Sequence, residues 1–355
     1  MTQFTDVKRK LEVFTPLPGD DFAIQDESSA LGDDPSPPCL RYPVGAVVGT
    51  HLVVAGAHLE PRTQCFSLWA LNLLTMTWSR LDTGNEFPSR SWFQSCLWRD
   101  ANKFLMFGNR HENGSIDSDH RHRLSSWDHV IILDLEAFGI YQPPGLELEI
   151  GMQELSLTAL DESVGSDFEL VCDDGRKIRC SRKLLEERWA WFRMQIFSLL
   201  EKAKLALAVA PSSRQAAPQK SGTAASNDVK PDPRITSRAF QLSESYPVTL
   251  ALLQYFYTLS LPTQLQQAPA VLSRLLVLSS TYKIYRLQFL VRHAMHLALS
   301  ESTCAGVYEV ATICGCRSLQ IRCVICIFFN SLLMFTIYIQ SFSSGHGDFA
   351  FPPQA

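Results

Sequence analysis

Charge is what this sequence is short of: 19% of its residues are charged, against about 25% in ordinary soluble domains. Basic residues do not outnumber acidic ones, 32 against 36, and the formal net charge is −4. No basic face for nucleic acid follows from that balance, so DNA and RNA are not expected partners. Residues 1–11 hold three basic side chains and no run of leucine or alanine, so a secretory leader is not expected. The ten cysteines are then read as mostly reduced thiols in a cytoplasmic or nuclear setting, and the sequon at Asn113 as unused. No Tyr/His/Cys set that two short repeats could gather round one metal is visible, and no glycine loop that cradles phosphate. The expectation is a protein that is not an enzyme and carries no cofactor.

Two groups of metal-type side chains fail on their surroundings. His111, Asp117, Asp119, His120 and His122 share one polar loop, where such residues are ordinarily solvated. Cys314, Cys316, Cys323 and Cys326 give C-x-C followed by C-x-x-C, but the pairs lie close together in apolar helical surroundings without turn residues, which favours buried thiols over zinc. No metal site is expected.

What is present is a chain of 355 residues with 46% hydrophobic content, enough for two or more domains with real cores. Residues 1–40 are rich in aspartate and proline and are expected to be disordered. Between residues 41 and 145 lies an internal repeat. HLVVAGA and FSLWALNLLTMTWSRL in the first copy correspond to KFLMFGN and HVIILDLEAFGIYQPP in the second, with Gly56 matched by Gly108 at an offset of 52 and Leu71 by Leu133 at an offset of 62. Each copy predicts a buried strand ending at glycine, a loop, an alternating strand, a turn and a final strand. Residues 146–165 read as an acidic linker with a short strand over 155–160.

From Ser166 the pattern changes. Phe168, Leu170 and Cys172 alternate with Asp167, Glu169 and Val171, the period of a half-buried strand. Asp173, Asp174 and Gly175 supply a tight turn, and a return strand runs through Ile178 and Cys180. Ser181 caps a helix on which Leu184, Leu185, Trp189, Phe192 and Ile196 fall at helical intervals. Residues 211–234 lack periodicity and read as a flexible insertion. Structure resumes near Ile235, with apolar helices through Leu250–Thr258, Val271–Tyr282, Leu287–Leu297 and Val307–Ala311.

The repeat over 41–145, with its Leu-Asn/Asp-Leu stretches and Trp78, resembles the kelch repeat, one blade of a β-propeller of the galactose oxidase-like superfamily. Propellers usually close with about four to eight blades, so two copies imply a lost propeller, a truncated sequence or a ring completed by another chain. Residues 166–322 resemble a BTB/POZ domain: Asp167 with Phe-x-Leu-Val matches its opening strand, 178–192 its strand-to-helix passage, and ALLQYFYT its helix ending in Tyr-Thr. Ser181 stands where that family commonly has histidine. The whole is therefore multidomain, with incomplete all-β kelch-like blades followed by an α/β BTB/POZ domain whose C-terminal half is mainly helical. It is similar to kelch-BTB scaffolds of the fungal Ras-signalling and leucine-zipper-like regulator types.

The resemblance implies protein–protein interaction: a homodimer through the BTB unit, an unknown protein ligand of the kelch unit, and presentation of substrates to a cullin scaffold of a ubiquitin ligase. Asp167, Phe168, Ser181, Leu242 and Glu244 are the interaction residues it implies, Leu242-Ser243-Glu244 resembling the hydrophobic-x-Glu motif of cullin adaptors. Residues 323–342 carry no charge and have close to the ~20 apolar residues of a membrane span. A membrane anchor leaving the BTB unit in the cytosol, a core helix and translated non-coding sequence are the three readings of this segment before the tail at 343–355. Alternative functions are accordingly a membrane-tethered signalling scaffold, or a truncated product in which only the BTB unit works.

Overall fold

The computed structural model describes residues 10–19, 21–31, 36–59, 64–84, 91–109, 127–209 and 238–327. They form two compact units. One holds the strands up to Pro143 together with a helix over 317–327, and the other runs from Pro144 to Cys316.

In the first unit, β1 (Glu12–Pro16) and β2 (Phe22–Asp26) form an antiparallel hairpin inside the stretch whose composition predicts disorder. The pairing is local. Gly19 takes φ +90° in the turn, where a side chain would be strained, and Phe14 meets Phe22 at 5.1 Å. Every residue of β1 is exposed.

Four strands then follow as a meander: β3 (Leu40–Val48), β4 (His51–Leu59), β5 (Gln64–Asn72) and β6 (Thr77–Leu81), hydrogen-bonded in chain order. β7 (Ser91–Trp98), β8 (Lys103–Asn109) and β9 (His129–Asp134) make a second antiparallel sheet. One apolar cluster joins the two, with Val53, Ala55, Leu68 and Ala70 from the first sheet and Phe104, Met106 and Leu133 from the second. Alternation along each strand sends these side chains to one face.

The repeat predicts a final strand in both copies, and the structure supplies it in only one. After Asn72, whose Oδ1 accepts from the amides of Leu74 and Thr75, the chain turns and β6 pairs with β5. After the corresponding Asp134, residues Leu135–Phe138 form a 3-10 turn, and no fourth strand is found there among the described residues. The reason is burial: Leu135, Ala137 and Ile140 enter the core. Asn102 holds the segment through its carbonyl to Leu135 N at 3.0 Å and through Oδ1 to Gln142 N at 2.9 Å.

The helix over 317–327 belongs to this unit. Ser318 Oγ donates to Asp134 Oδ2 at 2.7 Å, and Arg322 Nη1 to the Phe138 carbonyl at 2.8 Å. Leu319 and Cys323 are fully buried. For residues up to 327 this is the core-helix arrangement, and no helix among the described residues is long and apolar enough to cross a membrane. Residues 328–342, the tail 343–355 and the insertion 211–234 lie outside the described residues.

The second unit starts with the stretch that reads as an acidic linker. It is instead a helix, α1 (Ile150–Asp161), packed against α4 (Tyr246–Thr258). What holds it is tertiary. Buried Gln153 donates to the Leu148 carbonyl at 2.8 Å and accepts from Ser260 Oγ at 2.5 Å. Thus 146–165 lies inside this unit and 317–322 outside it.

β10 (Phe168–Val171) and β11 (Lys177–Cys180) pair antiparallel across the Asp173-Asp174-Gly175 turn, with Gly175 at φ +78°. β12 (Ala239–Gln241) pairs parallel on the other side of β10. Ser181 caps α2 (Arg182–Arg188) by accepting from Leu184 N. The predicted single helix is broken at Trp189, which takes φ −127° and ψ 90° before α3 (Ala190–Val209) begins. The break places the Trp189 ring against Phe192, Phe256 and Tyr282, with centroids at 5.6, 4.9 and 5.2 Å.

α4 is buried on all sides, as a helix apolar around its whole circumference must be; each such Leu or Phe contributes about 1.5–3 kcal/mol by burial. It ends at Thr258, before Pro262, because Leu259 adopts φ +52°. Around it stand α5 (Gln264–Gln267), α6 (Pro269–Thr281), α7 (Tyr285–Leu297) and α8 (Glu301–Ile313). Antiparallel sheets are thus followed by a helical C-terminal region.

Candidate protein-interaction site

The five interaction residues implied by sequence do not come together on one face. Asp167 is exposed, and its Oδ1 accepts from Arg182 N at 2.8 Å. Phe168 is core, edge-on to Phe192 at 5.6 Å. Ser181 is a helix cap whose own amide donates to the Tyr257 hydroxyl at 2.9 Å.

Leu242 and Glu244 are also turned inward. Leu242 is buried, and its amide donates to the Val171 carbonyl at 2.9 Å. The Glu244 carboxylate, 7% exposed, accepts both Nε, at 3.2 Å, and Nη2 of Arg274. A charge this buried needs such a partner, and the pairing holds the guanidinium of Arg274 further above its ordinary pKa. Both side chains of the hydrophobic-x-Glu motif are therefore spent inside the fold.

What is displayed to solvent was not marked by the sequence pattern. On α1, Gln153 and Leu160 are buried on the side toward α4, while Met152 and Leu155, turned away from that side, are 52% and 65% exposed. With Ala159 they fall at i, i+3 and i+7, one stripe of a helix. Leu146 and Ile150 extend the apolar exposure at the helix start. The signal in sequence was the second set of apolar positions in IGMQELSLTALD, which its acidic residues obscured.

Among the described residues, no group of three or more His, Cys, Asp or Glu is arranged to hold a metal. The histidine loop at 111–122 lies outside them. Burial pushes the Cys180 thiol up to about 12 and the Cys323 thiol to about 11, the latter helped by Cys326, so both stay protonated near neutrality and are poor nucleophiles or ligands.

No family profile matches the chain. It is similar to protein ral2 of Schizosaccharomyces pombe, 26% identical over 286 residues, which are 81% of this chain and 45% of that protein. The chain thus spans under half the length of this fungal relative. The matched stretch is longer than either compact unit, so the similarity takes in both the sheet-rich and the helical part.

Proposed function

We propose that this chain is a protein-interaction scaffold of the kelch-BTB kind, in which the second unit self-associates through the outer face of α1. The observation that carries the reading is the Met152/Leu155 stripe on a helix whose other face is already packed. An apolar stripe of this sort on an ordered helix favours a partner over water. The parallel pairing of β12 with β10, and the antiparallel hairpin leading into a capped helix, support the BTB resemblance. The four-stranded meander β3 to β6 supports the kelch resemblance, and the kelch unit is assigned to recognition of a further protein. A cullin-adaptor role through Leu242 and Glu244 is not part of this proposal, since both side chains are engaged internally.

The test is the mass of the full chain by size-exclusion chromatography with light scattering. The wild type is expected to run as a dimer, and Met152→Glu with Leu155→Glu as a monomer of unchanged helical content. A wild type that stays monomeric at tens of micromolar, or a double variant that stays dimeric, overturns the assignment of α1.

A further inference from the structure

We propose that the exposed stripe of α1 docks on α3 of a second copy of this chain, with the contact repeated by a twofold axis; this rests on the self-association proposed above and names the surface that α1 meets. α3 turns Phe192 and Ile196 into the core. Phe192 packs on Trp189, which in turn stacks on Phe256 of α4. Turned away from that side, Met194, Phe197 and Leu205 are 62%, 64% and 66% exposed. They fall at i, i+3 and i+11, with Glu201 at i+7, so they line one stripe of the helix. The second unit thus displays apolar stripes on two ordered helices, α1 packed directly on α4 and α3 braced against it through Trp189.

Charge decides how the stripes pair. Glu154, Asp161 and Glu162 are exposed on α1 and at its end, and residues 150–162 contain no lysine or arginine. α3 exposes Arg193, Lys202 and Lys204, and its single acid, Glu201, is met by Lys204 at 2.9 Å. Two α1 stripes face to face would bring two sets of carboxylates together with no cation between them, and like charges brought together across an interface are costly. α1 laid on α3 sets acid against base. Area points the same way. A stable interface buries about 800 Å² on each partner, more than the half-exposed side chains of Met152 and Leu155 can supply. A twofold axis that places each α1 on the opposite α3 uses both stripes of both copies, adding Met194, Phe197 and Leu205 to the buried surface.

Sedimentation of the full chain tests this, with the dimer dissociation constant measured for wild type, for Glu154→Lys with Asp161→Lys, for Arg193→Glu with Lys204→Glu, and for all four changes together. The four positions are exposed, and an unchanged circular dichroism spectrum marks an intact fold. Each reversed pair is expected to weaken the dimer at least about tenfold, and the quadruple variant, in which opposite charges face each other again, to return to within about threefold of wild type. Raising salt from about 0.05 M to about 0.5 M is expected to weaken the wild-type dimer, because screening removes an attraction. Met194→Glu with Phe197→Glu is expected to give a monomer. A wild-type dimer that tightens with salt, or one that Met194→Glu with Phe197→Glu leaves intact, overturns this pairing while the self-association through α1 stands. Weakening by each reversed pair without recovery in the quadruple variant overturns the pairing as well. A wild type that is monomeric overturns both readings.

Discussion

Arg188 Nη1 donates to the carbonyl oxygen of Phe256 at 2.6 Å and to that of its neighbour Tyr257 at 3.1 Å. Carbonyls in the last turn of a helix lack intrahelical donors, and a cation there also meets the negative end of the helix dipole. One side chain at the end of α2 thus completes the C-terminus of the buried helix α4, on which both α1 and the aromatic cluster rest.

Arg188→Met keeps most of the aliphatic stem and removes the donors. Hydrogen bonds to charged groups contribute about 1.5–3 kcal/mol, so the urea midpoint of the helical unit is expected to fall accordingly. Arg188→Lys is expected to recover only part, because one ammonium cannot reproduce the guanidinium geometry. Equal stability of wild type and Arg188→Met would remove the assigned role.

Glu244→Ala tests whether the motif glutamate is structural. It leaves Arg274, half exposed, free to turn to solvent, so the loss is that of charge-assisted hydrogen bonds, about 1.5–3 kcal/mol. The expected result is a lower thermal midpoint with the dimer retained. An unchanged midpoint would show that the pairing does not hold this turn.

Gly49 adopts φ +56° between β3 and β4, and a Cβ there would strike the Tyr141 carbonyl oxygen. Left-handed backbone costs about 1–2 kcal/mol for an L-residue, and the collision adds to that. Gly49→Ala is expected to destabilise the sheet unit by more than about 2 kcal/mol in urea, whereas Gly84→Ala, also at positive φ but with nothing within 4 Å of an added Cβ among the described residues, is expected to cost only the backbone strain.

Burial, and then the Arg322 guanidinium, lower the pKa of His51 below its ordinary value. His293 is lowered likewise by burial and by His296. A histidine depressed in the folded state binds its proton more readily when unfolded, so stability is full above the ordinary pKa of about 6.5 and falls as pH drops below it toward the folded value. Urea midpoints are expected to be lower at pH 5.5 than at pH 7.5. His51→Gln is expected to flatten the part of that slope that belongs to the sheet unit, and an unaltered slope would exclude His51 as its source.

The residues that could be placed from sequence are those governed by near neighbours. Phe168, Leu170, Ile178 and Cys180 show their strands by alternation, Gly175 its turn by tolerance of positive φ, and Ser181 its cap by an oxygen at the right offset. α4 was legible because apolar residues fill its whole circumference. The candidate site was not legible: Leu242 and Glu244 form a plausible motif as text, and only packing shows that one is core and the other is held by Arg274, thirty positions away.

The sequence by itself determined two dissimilar halves, the repeat that sets β4, β5, β6, β8 and β9, and the hairpin, cap and buried helix of the second unit, because each rests on periodicity or on turn chemistry within a few residues. Tertiary structure decided that 150–161 is a helix with an exposed apolar stripe, that the main helix breaks at Trp189, and that the second copy of the repeat turns inward at Leu135. Those outcomes depend on partners far along the chain, Ser260 for Gln153, Phe256 and Tyr282 for Trp189, and Asn102 for Leu135, whose proximity no local pattern encodes.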